Sequence, residues 1–235
     1  MNLVLLEPAD YIGEDHVRLQ GRRLEHVRKV HRAGIGDELR VGLINAKIGR
    51  GRIERIDDSA LDMLVELDDE PPAKLPLRLV LALPRPKVLN RTIAAAVSMG
   101  ISEIDLINSW RVEKAYWKSP RLSMENLQMQ AILGLEQAGD TVLPKIRLHR
   151  LFTPFVREEL PHLIKESLSL VAHPQATGAL PRECGGSVVL AIGPEGGFIE
   201  QEVQTFCEIG FTVVSLGTRI LRVETAVAYL IGRLF

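Results

Sequence analysis

Gly193-Pro194-Glu195-Gly196-Gly197 and Leu216-Gly217-Thr218-Arg219-Ile220-Leu221-Arg222-Val223-Glu224-Thr225-Ala226 each follow a short apolar run, and each opens a helical pattern. Two such strand-to-helix turns in close succession are what a ligand pocket at the carboxyl edge of a parallel sheet requires. In the first turn the glycines permit φ > 0 and leave backbone N–H and C=O groups uncovered. The spacing is neither G-x-G-x-x-G nor a Walker A loop, since no Gly-Lys-Ser/Thr follows. Taken singly, such a turn is equally a tight connection with no ligand. In the second turn Arg219, Arg222 and Glu224 must pair with one another or with a bound anion, because unpaired burial of charge is costly. Thr225, near the helix start, can satisfy an orphan N–H group.

Working outward, the spacing predicts strands at 77–83, 104–107, 146–148, 167–172, 187–192 and 212–215. They alternate with helices at 88–99, 123–138, 154–164, 200–209 and 223–234. The run Leu77–Leu83 is apolar except for Arg78, close to what a strand covered on both faces shows, and the alternation defines an α/β domain with a mainly parallel sheet. Upstream, Glu38–Leu43, Gly51–Ile56 and Leu61–Leu67 are short alternating stretches between glycine-marked turns, which predicts a small β domain over residues 1–70. A helix is expected over Gly21–His31, with Leu24, Val27 and Val30 on one face. Residues 71–76 hold three prolines and are expected to be a linker, followed by one domain over 77–235.

The net charge of −1 conceals an asymmetry. Between Arg18 and Arg55 there are eleven Lys or Arg against four acids, whereas Asp57–Glu70 holds seven acids and no base. Clustered cations form the footprint of a polyanion-binding face, or else a solvated surface. With 46% apolar and 25% charged residues the composition is that of a globular protein. No apolar stretch approaches the 18 residues or so that a membrane span needs, and no signal peptide is evident. Cys184 and Cys207 lack a CxxC pair or clustered His, so neither zinc nor a structural disulfide is expected.

The two turns together resemble the RsmE family, the 16S rRNA uridine N3-methyltransferases of the SPOUT class. The resemblance extends to His173-Pro174, to Glu136-Gln137, and to His26-Val27-x-x-Val30-x-Arg32 ahead of Gly36-Asp37, so it runs the length of the chain. It implies a small PUA-like β-barrel domain, then an α/β SPOUT domain with a trefoil-knotted, mainly parallel sheet. It also implies S-adenosyl-L-methionine as donor, 16S rRNA of the small ribosomal subunit as partner, a homodimer, no metal and a cytoplasmic location. Three places depart from the family: Ser98-Met99-Gly100 replaces Glu-Leu-Gly, Asn108-Ser109-Trp110-Arg111 replaces a Ser/Thr-Glu-Arg triplet, and Asp140-Thr141 stands where an Arg is common. They bear on the grip on RNA, and leave open a same-fold enzyme acting on another RNA position or a non-catalytic RNA-binding factor.

Methylation at uridine N3 requires loss of the imide proton and stabilisation of charge on O2 and O4. On the resemblance, Arg222 is expected to face the developing oxyanion and Glu224 to orient it or relay the proton; a purely structural Arg–Glu pair is the alternative. Cofactor contacts are expected from His173, Gly193, Gly197, Leu216, Gly217, Ile220, Leu221, Thr225 and Ala226. Contacts to RNA are expected from Arg22, Arg23, His26, Arg28, Lys29 and Arg32, with His26 alternatively a packed structural residue.

Overall fold

The structure is a computed structural model that describes residues 2–174, 176, 178 and 180–235. The chain forms two compact units.

One unit comprises Met1–Ala73 and Ile132–Leu143. Its strands β1 (Val4–Leu6), β2 (His16–Leu19), β3 (Glu38–Leu43), β4 (Ile48–Ile56) and β5 (Leu61–Asp69) lie in the order β1-β3-β4-β5-β2. The β1–β3 pair is parallel and the others antiparallel. Val17 and Leu19 point inward while His16 and Arg18 point out, the two-residue period of a half-buried strand. Leu6, Val17, Leu19, Val27, Val41, Leu61 and Met63 are fully buried, each side chain contributing about 1.5–3 kcal/mol of transfer free energy. The helix expected over 21–31 divides: α1 (Gly21–His26) continues as a wider π turn, Val27–His31. It stops at Arg32, which has a left-handed φ of 54°.

The second unit comprises Lys74–Ala131 and Pro144–Phe235. Strands β6 (Leu75–Ala82), β7 (Ile101–Ile107), β8 (Lys145–His149), β9 (Leu168–Ala172), β10 (Val188–Ile192) and β11 (Thr212–Val214) form one sheet, ordered β11-β9-β10-β6-β7-β8. All five pairings are parallel. Helices α2 (Pro86–Ser98), α3 (Met124–Ala138, of which the residues from Ile132 on belong to the first unit), α4 (Phe152–Pro154), α5 (Leu160–Leu163) and α6 (Glu200–Glu208) connect the strands, with a π turn at Phe155–Glu159 between α4 and α5, and α7 (Val223–Leu234) follows β11. Every residue of β10 is buried, in keeping with a strand covered on both faces.

The linker expected at 71–76 is too long, because β6 starts at Leu75 and takes in Pro76. Pairing with β7 is irregular between Leu75 and Arg78, and pairing with β10 begins only at Leu77. Pro76 therefore falls where no ladder N–H is required, the one place a central strand tolerates it. Parallel strands place all their carboxyl ends on one edge. The chain runs outward from β6 through β7 to β8, then returns to lay β10 on the other side of β6. That reversal is the switch point beside which α/β sheets bind ligands.

Candidate active site

The turn after β10 closes through Gly197 N–H donating to the Pro194 carbonyl at 2.7 Å. A Cβ at Gly193 would lie 2.7 Å from the Phe198 amide nitrogen, so only glycine lets the turn fold back on itself. Gly197 has φ +72° with no atom within 4 Å of a Cβ position, so its bare face opens outward. In the facing turn, the Gly217 N–H donates to Ser215 Oγ at 3.2 Å. Arg222 is the extended N-cap of α7, and its carbonyl accepts from Ala226 N–H at 2.8 Å.

These turns enclose a hollow lined by His173, Gly193, Gly197, Leu216, Gly217, Ile220, Leu221 and Ala226, together with Ile192, Pro194 and Val223. Eight of the nine residues expected to contact a cofactor thus converge on one surface. Thr225 does not. Helix α7 buries Val223, Ala226, Val227 and Leu230, and that periodicity turns Thr225 to the exposed side.

Arg222 and Glu224 line an adjoining hollow with Arg85, Val88 and Arg91. The Arg222–Glu224 pairing expected from sequence does not form: Glu224 Oε1 takes Arg91 Nη2 of α2 at 2.5 Å instead. The Arg222 guanidinium has no hydrogen-bond or ion-pair partner among the described residues. Glu195 and Ile220 border both hollows, and Glu195 Oε1 accepts the Arg85 backbone N–H at 3.0 Å, at the N-terminus of α2. Arg111 donates to the Gly196 carbonyl. Sequence reasoning missed Arg85, Arg91, Arg111 and Glu195 as site residues. The signal for Arg85 was its place directly after an apolar strand; Arg91 and Arg111 are brought in only by tertiary packing.

In the other unit the residues expected to dock RNA fall into two groups. Arg22 holds Glu136 with two hydrogen bonds of 2.7 and 2.9 Å, and Glu136 is buried. Arg23 holds Asp10 at 2.5 and 2.6 Å and also donates to the Leu5 carbonyl. Each bidentate pair satisfies a carboxylate that packing has withdrawn from water, so both arginines also have a structural role, and the Arg22 side chain remains exposed. His26 Nε2 is buried without a partner, and burial together with neighbouring His31 holds the ring below its usual pKa. His26 is thus packed, edge-on to His31 at 5.2 Å. Arg28, Lys29 and Arg32 are exposed. Arg28 pairs with the exposed Asp58 at 2.6 Å and Lys29 with Glu25 at 3.0 Å, contacts that a polyanion can displace.

Among the described residues no cluster of His, Cys, Asp and Glu could hold a metal ion, and no helix is long and apolar enough to cross a membrane. Both cysteines are free thiols, Cys207 exposed rather than buried.

A family model described as an RNA methyltransferase domain matches residues 71–234, the span that contains the whole parallel sheet and both turns. The chain is 34% identical over 233 residues to ribosomal RNA small subunit methyltransferase E of Treponema pallidum, covering 96% of this chain and 87% of that one. It belongs to the ribosomal RNA small subunit methyltransferase E family. A second relative, methyltransferase E 1 of Borreliella burgdorferi, is 26% identical over 229 residues, covering 96% of this chain and 94% of that one. Among solved structures, a putative methyltransferase from Legionella pneumophila, in complex with its cofactor SAM, superposes with a TM-score of 0.77 at 26% identity. The match covers 98% of this chain and 95% of that one. The crystal structure of the Neisseria gonorrhoeae methyltransferase E, bound to S-adenosyl methionine, shares the fold with a TM-score of 0.77 at 23% identity, over 98% and 95% of the two chains.

Proposed function

We propose that the protein transfers the methyl group of S-adenosyl-L-methionine to N3 of a uridine in 16S rRNA of the small ribosomal subunit. On this reading the second unit is a SPOUT domain with a trefoil knot and the first a PUA-like domain, in a cytoplasmic homodimer. The observation that carries the reading is the pair of adjoining hollows at the switch point, one apolar and rich in bare backbone, the other lined by three arginines.

The apolar hollow fits the donor. Leu216, Ile220 and Leu221 can sandwich an adenine, while His173, Gly193, Gly197, Gly217 and Ala226 present backbone or little bulk to a ribose and an amino-acid tail. The bound donor supplies an electrophilic methyl group. The chain's own residues hold the acceptor base and deal with its charge. Arg222, with no hydrogen-bond or ion-pair partner among the described residues, hydrogen-bonds the oxygen on which charge grows once the imide proton leaves. Glu224 fixes Arg91, so that a second guanidinium borders the same space. Glu195, the carboxylate bordering both hollows, is the acceptor for the imide proton. Holding the base in line with the methyl carbon supplies much of the remaining barrier reduction.

Tritium transfer from labelled donor to small subunits or to free 16S rRNA, followed by mapping of the methylated base, tests the reading. Label on N3 of one uridine is expected. No transfer to either RNA, or transfer to a different kind of base, overturns it.

A branched side chain at position 197 should block the donor. Valine at φ +72° is strained as well as bulky. Gly197→Val is therefore expected to show no donor binding by calorimetry, with the far-ultraviolet circular dichroism of the wild type. Unchanged affinity would remove that turn from the pocket.

A further inference from the structure

Asn108–Leu122 joins β7 to α3 and is mostly irregular, with short 3-10 turns at Tyr116–Lys118 and Pro120–Leu122. Its composition is unlike that of a simple connection. From Trp110 to Arg121 it holds Arg111, Lys114, Lys118 and Arg121 against a single acid, Glu113, with Trp110, Tyr116 and Trp117 interleaved. Positive charge interleaved with aromatic rings is the composition of surfaces that bind single-stranded nucleic acid, where bases stack on the rings and phosphates meet the cations.

The geometry bears this out. Trp110 is 80% exposed, an arrangement that leaves a large apolar ring in water. It lines a hollow of about 610 Å³ with Asn108, Ser109, Lys114 and Trp117, at the carboxyl ends of β7 and β8. Trp117 is held by its indole N–H donating to Asn108 Oδ1 at 2.9 Å, and the Arg150 guanidinium sits over its ring at 5.6 Å. Ser109, only 4% exposed, has a hydroxyl with no hydrogen-bond partner among the described residues. Lys114, Lys118, Arg121 and Arg150 are exposed, and none is in an ion pair among the described residues.

The position of Trp110 is fixed from the cofactor side of the domain. Its backbone N–H donates to Glu202 Oε1 at 2.7 Å, and Glu202 Oε2 accepts from Ile199 N–H at 3.0 Å, at the start of α6. The neighbouring Arg111 is bonded to Gly196, in the turn that borders the apolar hollow. With the backbone held this way, only the side-chain torsions remain to be ordered when a flat ligand stacks on the ring.

We propose that Trp110 is a stacking platform for an unpaired nucleotide flanking the methylated base, with Lys114 and Arg150 meeting its phosphates and Ser109 its base edge. The inference rests on the proposed RNA methylation and makes Trp110 a residue that selects RNA context.

The chain has two tryptophans, so Trp117→Phe leaves Trp110 as the only indole reporter. Titrating that variant with a ten-nucleotide oligouridylate is expected to quench its fluorescence. Stacking is worth about 1–3 kcal/mol per base, so Trp110→Ala should weaken oligouridylate binding about 5- to 150-fold, and Trp110→Phe should restore most of it. In methyl transfer, Trp110→Ala should raise KM for RNA and leave donor affinity by calorimetry unchanged. Unchanged oligouridylate affinity in Trp110→Ala, or no quenching in Trp117→Phe, overturns the platform. So does a fall in sedimenting mass of Trp110→Ala with RNA binding intact, which would make the ring an assembly contact. Strand binding and quenching are read without turnover, so failure of the wild type to methylate rRNA overturns the proposed function while these measurements still decide the platform.

Discussion

Arg222→Ala is expected to lower the single-turnover rate of methyl transfer to 16S rRNA on the order of 10²–10³-fold, the usual effect of removing one donor from a developing oxyanion. Donor affinity and the fold should stay as in the wild type. The structure separates this outcome from a trivial loss of folding. Arg222 caps α7 through its backbone carbonyl, which accepts from Ala226 N–H, and alanine keeps that bond. The side chain is exposed and has no partner among the described residues, so truncation orphans no buried group. Arg222→Lys should recover only part of the rate, because an ammonium keeps the charge and loses the planar fork. Glu224→Ala is the informative contrast: it releases Arg91 rather than Arg222 and should raise KM for RNA more than it lowers the rate. If Arg222→Ala methylates at the wild-type rate with saturating RNA and donor, the guanidinium does not face the reacting base.

What the sequence disclosed, and what it withheld, follows from the range of the interactions involved. The parallel sheet was legible because β10 is an unbroken apolar run and β6 is interrupted from Leu77 on by Arg78 alone, and because Gly193–Gly197 and Leu216–Ala226 each mark a carboxyl edge. The convergence of both turns was legible for the same reason: parallel strands bring their ends together whatever their order. The orientation of Thr225 was not legible from its place in the motif, because the apolar face of α7 decides where it points. β1 and β2 were missed because they are three and four residues long, too short for alternation to stand out. The ion pair of Arg22 was not foreseen because its carboxylate is remote in sequence, Glu136 lying 114 residues away. No local pattern reports such a pair. The same holds for Arg91–Glu224, which replaced the expected contact within one turn.

The second large effect is expected in stability, from the sheet's buried charges. Asp105 of β7 is fully buried, where an isolated carboxylate would be prohibitively costly. It survives because Arg78 of β6 donates to Oδ2 at 2.7 Å and His149 of β8 contacts Oδ1 at 2.8 Å. Glu103 completes the set by holding Arg78 and Arg147, each at 2.6 Å. Register explains the grouping: Glu103 pairs with Arg78 and Lys145, and Asp105 with Val80 and Arg147, so alternate residues of three strands share one face. Removing one member leaves the others buried and short of a partner, so Asp105→Ala should destabilise by about 3–5 kcal/mol in urea unfolding. Burial alone would raise the Asp105 pKa, but the hydrogen bonds from His149 and Arg78 and the Arg78 charge outweigh it and hold the carboxyl below its ordinary value. A depressed folded-state pKa contributes stability that is present above the unfolded value, near 4, and is lost as pH falls through the folded one. The wild type should accordingly lose urea resistance below about pH 4, and Asp105→Asn should show a flatter acid limb from a lower plateau. An Asp105→Ala variant with the wild-type urea midpoint would mean the network contributes nothing net, its Coulombic gain cancelled by the cost of drying four charged groups.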